Sequence, residues 1–164
     1  MPEGRKISHL TPDLGLTTQL RAEDFAELAR RGYRSVLNNR PDGESGDPYL
    51  NAKEASAIAA RHGLAYVHMP VRGADVSEEE VIEQFRQIVD SLPKPIVAHC
   101  KVGARSAVLW AYGSTGELPV DEIIRVTAGA GHDLSVLRPE LSDRANADSR
   151  RNDSFESEDV RACI

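Results

Sequence analysis

The chain has 164 residues, 40% of them hydrophobic and 28% charged, which fits one globular domain long enough to bury a real core. Its net charge of -6 and pI near 5.4 argue against nucleic acid as a partner, because no basic stripe is present to neutralise phosphates and any anion must be captured locally. No apolar run is long enough to span a bilayer and no basic-then-apolar leader stands at the start, so the expectation is a cytoplasmic protein with no membrane partner.

Met1 to Lys6 is polar and reads as a flexible N-terminus. From Ile7 to Leu20 apolar and polar residues alternate around Pro12-Asp13 and Gly15, which predicts a strand, a turn and a second short extended piece at a sheet edge. Ala22 to Arg31 carries Phe25, Leu28 and Ala29 at helical spacing, with Gly32 placed to end the helix. Tyr33 to Asn38 is the next strand.

The stretch Asn39 to Pro48 is dense in turn formers and leaves the carboxyl end of that strand, the side on which open α/β sheets bind ligands. Arg40 in it is either a second anion contact or a buttress tying the loop to the sheet. Ala52 to His62 reads as a helix stopped by Gly63, and Leu64 to Met69 as a strand, with His68 a core or edge histidine. Ser77 and Glu80 have the spacing of a capping box, followed by Val81, Phe85, Ile88, Val89 and Leu92 at helical period up to Pro93.

Ile96-Val97-Ala98 is a short β-branched run that delivers His99 and Cys100 at its carboxyl end. Lys101, Val102, Gly103 and Ala104 form a loop closed by Arg105 and Ser106, and Ala107 to Ala111 continue as an apolar helix. The first N–H groups of a helix lack intrahelical partners and lie at its positive end, which makes a ready anion site. Thiols at such positions beside cations ionise more readily than free ones, and the planar fork of Arg105 suits tetrahedral oxyanions. The constellation therefore reads as a thiolate nucleophile in an oxyanion-binding loop, against the base expectation that a lone buried cysteine is inert.

Pro119 to Ile124 starts a further helix that ends at Gly129-Ala130-Gly131, and Asp133 to Leu141 holds a last turn with Leu134, Val136 and Leu137 docking on the domain. From Asp143 the composition is polar and charged with a lone Phe155, which predicts a disordered tail over 143–164. Cys163 in it reads as a tail thiol that does not pair with Cys100. The alternation of strands and helices implies an α/β fold with a mainly parallel central sheet flanked by helices on both faces, its domain at residues 7–142.

His99-Cys100-x-x-Gly103-x-Arg105-Ser106 resembles the signature loop of cysteine-dependent protein phosphatases with one residue missing between Gly and Arg; rhodanese-type sulfurtransferases have a loop of this shorter length. Together with Ser35 to Glu44, Tyr66 to Val71 and Asp133 to Pro139, it is similar to the phosphatase-like domain of the β-lactamase-hydrolase-like proteins. That resemblance implies a protein tyrosine or dual-specificity phosphatase-like fold, and its members are described both as phosphatase-like hydrolases and as sulfurtransferases.

In the phosphatase mechanism it implies, Cys100 attacks phosphorus and forms a cysteinyl-phosphate. The amides from Lys101 through Val102, Gly103 and Ala104 to Ser106, with the Arg105 guanidinium, hold the oxygens. The Ser106 hydroxyl helps the sulfur leave, His99 supports the loop, and Asp75 is the candidate general acid, the alternative for Asp75 being a simple lead-in to the next helix. In sulfur transfer Cys100 takes a persulfide and needs no acid. A third reading is a module that binds phosphorylated ligands without turning them over. The partners expected are a small phosphorylated or sulfur-donor substrate or a phosphoprotein. No cofactor or metal is implied, since the five histidines make no ligand pair at metal-site spacing.

Overall fold

In the computed structural model residues 4–46 and 48–162 are described, the side chains of 155–162 excepted. The chain folds as β1 (Ser8–Thr11), β2 (Leu14–Thr17), α1 (Ala22–Arg30), β3 (Ser35–Asn38), α2 (Ala52–Arg61), β4 (Ala65–His68), α3 (Glu79–Ser91), β5 (Ile96–His99), α4 (Ala104–Gly113), α5 (Val120–Gly129) and α6 (Arg138–Ala162). The strands form one sheet in the order β1-β2-β5-β3-β4, antiparallel only between β1 and β2. This is the mainly parallel α/β architecture expected from the alternating pattern.

Alternation along each strand divides the core into two layers. Val36 and Val97 face Phe25, Leu28, Ala55 and Ala59 of α1 and α2. Leu37, Ile96 and Ala98 face the other way, toward Ile82, Phe85, Leu109 and Ile123 of α3, α4 and α5. β5 lies between β2 and β3 and is buried on both faces, which is why it reads as an unbroken apolar run. Beyond the strands the ladder continues: Asn39 N–H donates to the His99 carbonyl at 2.8 Å and Val71 N–H to the Asn39 carbonyl at 3.0 Å. The carboxyl ends of β2, β3, β4 and β5 are thereby held together at one edge.

Several local expectations are revised. Arg5 and Lys6 are tied down: Arg5 donates to the Asp24 carboxylate and to Thr18 Oγ1, and the Lys6 carbonyl accepts from Thr17 Oγ1 at 2.8 Å. α3 is capped by Glu78 rather than Ser77, because a 3₁₀ turn over Gly73–Asp75 draws the Glu78 N–H onto the Asp75 carbonyl at 3.1 Å and keeps Ser77 inside the turn. Val136 does not dock and is 83% exposed; Leu134, Leu137 and Leu141 fill that role.

The largest difference is α6. The composition predicts disorder from Asp143, yet Arg138–Ala162 is helical. Leu141 is fully buried, and Arg144, Asp148 and Arg151 follow it on the same stripe. Arg144 lies over the Tyr112 ring at 5.6 Å and donates to Glu79 at 2.9 Å, Asp148 accepts from Thr115 Oγ1 at 2.7 Å, and Arg151 pairs with Glu79. Beyond Leu141 the contacts of the helix are polar, and polar contacts leave no apolar periodicity in the sequence. Cys163 lies outside the described residues, as do the first three residues of the N-terminus.

Candidate active site

Cys100 sits at the carboxyl end of β5 and is 1% exposed. The chain then turns so that Gly103 N–H donates to Cys100 Sγ at 3.1 Å. Gly103 caps α4 with φ of +91°, and a Cβ there would lie 3.1 Å from His132 Nε2 and 3.3 Å from the Thr17 carbonyl oxygen. The Lys101 carbonyl accepts from Gln19 N–H at 3.0 Å, so across that trans peptide the Val102 N–H points to the opposite side. Lys101 and Val102 are exposed on the rim, Ala104 is half-buried, and Gly103 and Ser106 are buried.

Arg105 is fixed end-on. Its Nη1 donates to Glu44 Oε2 at 2.6 Å and to the Val71 carbonyl at 2.8 Å, and its Nη2 donates to Glu44 Oε1 at 2.9 Å. This two-pronged pair uses the terminal fork of the guanidinium and leaves Nε–H and the second Nη2 hydrogen, its lateral fork, for an oxyanion. Glu44 also accepts from Arg40 Nε at 3.3 Å, and the hydrogen bond from Arg105 holds its carboxyl below the ordinary glutamate range.

Arg40 is 3% exposed and turned into its own loop: besides Glu44 it donates to Gln19 Oε1 and Ser45 Oγ, and its guanidinium stacks on Tyr49 at 3.5 Å. This is the buttress arrangement. The Tyr49 hydroxyl links the Pro41 carbonyl and the Glu44 N–H at 2.6 and 2.8 Å, so the loop over residues 39–45 is internally braced and presents Glu44 at a fixed place.

Behind the loop the polar groups are paired. Asn39 Nδ2 donates to the Met69 carbonyl at 3.2 Å, which leaves Oδ1 to accept from Ser106 Oγ at 2.9 Å. The single proton of the Ser106 hydroxyl is therefore directed to Asn39 and not to the sulfur. His99 is fully buried, with Nδ1 3.2 Å from the Cys100 carbonyl; burial pushes its pKa down to about 4, so it is neutral and donates from Nδ1. His68 Nε2 meets the Arg40 carbonyl at 2.8 Å.

Asp75 ends the 3₁₀ turn after β4 and accepts from Arg72 Nε at 2.8 Å, its side chain 32% exposed. Its loop is joined to the cysteine loop through the Arg105 contact with Val71. Among the described residues no group of three or more His, Cys, Asp or Glu is arranged to hold a metal ion, and no helix is long and apolar enough to cross a membrane.

Residues 6–117 match the family described as "Beta-lactamase hydrolase-like protein, phosphatase-like domain". The chain belongs to that family. It is 35% identical over 132 residues to the β-lactamase hydrolase-like protein of Xylella fastidiosa, covering 79% of this chain but 30% of that relative's length. The fold of this phosphatase-like domain superposes with a TM-score of 0.76 and 29% identity on the crystal structure of a candidate phosphatase from Neisseria meningitidis, covering 84% of this chain and 97% of that one. PTPMT1, solved in complex with PI(5)P, shares the fold at a TM-score of 0.67 and 16% identity over 89% of this chain and 98% of its own.

Glu44 and Asn39 of the phosphatase-like domain stand in the Ser35 to Glu44 motif, but the sequence does not single them out as site residues. The available signal was a carboxylate four residues after Arg40 in a loop at the ligand-binding edge of the sheet. A turn-rich loop offers no periodicity from which to infer where that carboxylate points.

Proposed function

We propose that this domain is a cysteine-dependent phosphatase acting on a small phosphomonoester. The observation that carries the reading is the amide of Gly103 donating to Cys100 Sγ at 3.1 Å at the start of α4, with the Arg105 guanidinium held end-on by Glu44 and within electrostatic reach of Cys100. Cys100 thiolate attacks phosphorus opposite the leaving oxygen; the S–P bond forms as the P–O bond breaks, and the leaving oxygen takes a proton from Asp75. The loop amides and Arg105 hold the three equatorial oxygens. Water then attacks phosphorus, the Asp75 carboxylate accepts its proton, and the S–P bond breaks to return the thiolate and inorganic phosphate. Lys101 and Val102 on the rim meet the rest of the substrate. The two-pronged Glu44 contact makes Glu44 a positioning residue for Arg105.

Steady turnover of para-nitrophenyl phosphate that is abolished in Cys100→Ala and slowed about a hundredfold at neutral pH in Asp75→Asn is the expected result. An Asp75→Asn variant with undiminished kcat removes Asp75 from the mechanism.

A second reading, sulfur transfer, is favoured by one observation: the Ser106 proton is directed to Asn39, so the side chain that would help the sulfur leave is engaged elsewhere. In that chemistry the Cys100 thiolate displaces sulfite from thiosulfate, keeps the sulfane sulfur as a persulfide and passes it to cyanide as thiocyanate. Thiocyanate production that is indifferent to Asp75→Asn, with no release of phosphate from the aryl ester, would select it.

A further inference from the structure

Gly103 has the sulfur on one side and a cavity of about 220 Å³ on the other. The cavity runs from Val102 and Gly103 of the cysteine loop to Lys6, Ser8 and Thr18 beside β1 and β2, and to His132 after α5. None of its lining residues is acidic, although acidic residues outnumber basic ones 26 to 20 in the chain. Arg5 also borders it but is turned to Asp24 and Thr18, so exposed Lys6 and His132, whose Nε2 would lie 3.1 Å from a Cβ on Gly103, are the other two basic side chains in its lining. The volume is below the 300–1,000 Å³ or so of pockets for drug-sized ligands and suits a single small anionic group. Neither Arg105 nor Glu44 lines it.

We propose that this cavity is a second anion subsite, so that the favoured substrate carries a further phosphate or carboxylate a short distance from the phosphomonoester at Cys100. The proposal rests on the phosphatase reading of the Cys100 loop. A substrate with one anionic group uses the loop alone. A substrate with two gains the contact with Lys6 and His132 at the high effective concentration set by the short link between its two groups.

Alkanediol bisphosphates of two to six carbons, compared with the matching alkyl monophosphates as inhibitors of para-nitrophenyl phosphate turnover, test it. One chain length should inhibit about tenfold better than its monophosphate, beyond the twofold statistical advantage of two ends. In Lys6→Gln and in His132→Gln that advantage should shrink to threefold or less, with kcat and KM for para-nitrophenyl phosphate unchanged. No chain length exceeding the statistical factor, or an advantage that survives in both variants, overturns the subsite. Should the parent release no phosphate at all, the phosphatase reading fails separately. Calorimetric titration of Cys100→Ser with the same bisphosphates then decides the cavity: a gain lost in the Lys6→Gln background supports it, and no gain overturns it.

Discussion

At the scale of single residues, the site is governed by how the donors of Arg105 are divided. Two of its nitrogens are committed to Glu44 and one of these also to Val71, which fixes the plane of the guanidinium while its charge interacts with Cys100. Glu44→Gln keeps the shape but removes the charge-assisted pair, and with it a negative charge that repels phosphate. The expected outcome is a kcat for para-nitrophenyl phosphate about tenfold lower with no weakening of product inhibition by inorganic phosphate, measured by steady-state kinetics. Loss of phosphate affinity in parallel with kcat would instead mean that Glu44 only holds the loop together. Ser106→Ala removes the donor to Asn39 Oδ1 and leaves that buried oxygen unpaired, so it should destabilise the fold by about 1–3 kcal/mol in urea denaturation.

Among the elements, α6 departs furthest from its sequence. Its anchoring stripe, Leu141, Arg144, Asp148 and Arg151, holds one apolar residue and three charged ones. Charged pairs at a surface contribute little each, about 0–1 kcal/mol, so Leu141 is the main attachment. Leu141→Ala should lower stability by about 2–5 kcal/mol, whereas Asp148→Ala should cost about 1 kcal/mol, read as the shift in chemical denaturation midpoint. Equal losses from the two would place the weight on the polar contacts. β5 and α4 behave in the opposite way: their apolar runs, buried on both sides of the cysteine loop, announce the strand and helix directly.

For the whole molecule, burial of His99 under the loop ties stability to pH. Its pKa, about 4 in the folded chain against 6.5 when exposed, means that the unfolded chain binds the extra proton first. Stability is therefore fully present above about pH 6.5, falls as pH drops toward 4 and levels off below, by an amount on the order of 3 kcal/mol. Urea denaturation at pH 7.5 and 4.5 should show that fall, reduced in His99→Gln; a parent whose midpoint does not move overturns it. Periodicity and turn residues alone determined the alternating elements, the two-layer core and the strand–loop–helix around Cys100, because those signals depend on neighbours a few residues apart. Where Glu44, Asn39 and Asp148 point, which way the Ser106 proton goes, and the cavity between Lys6 and His132 were decided only by tertiary structure. Each joins residues dozens of positions apart, and a polar side chain carries no periodic mark of the partner it will meet.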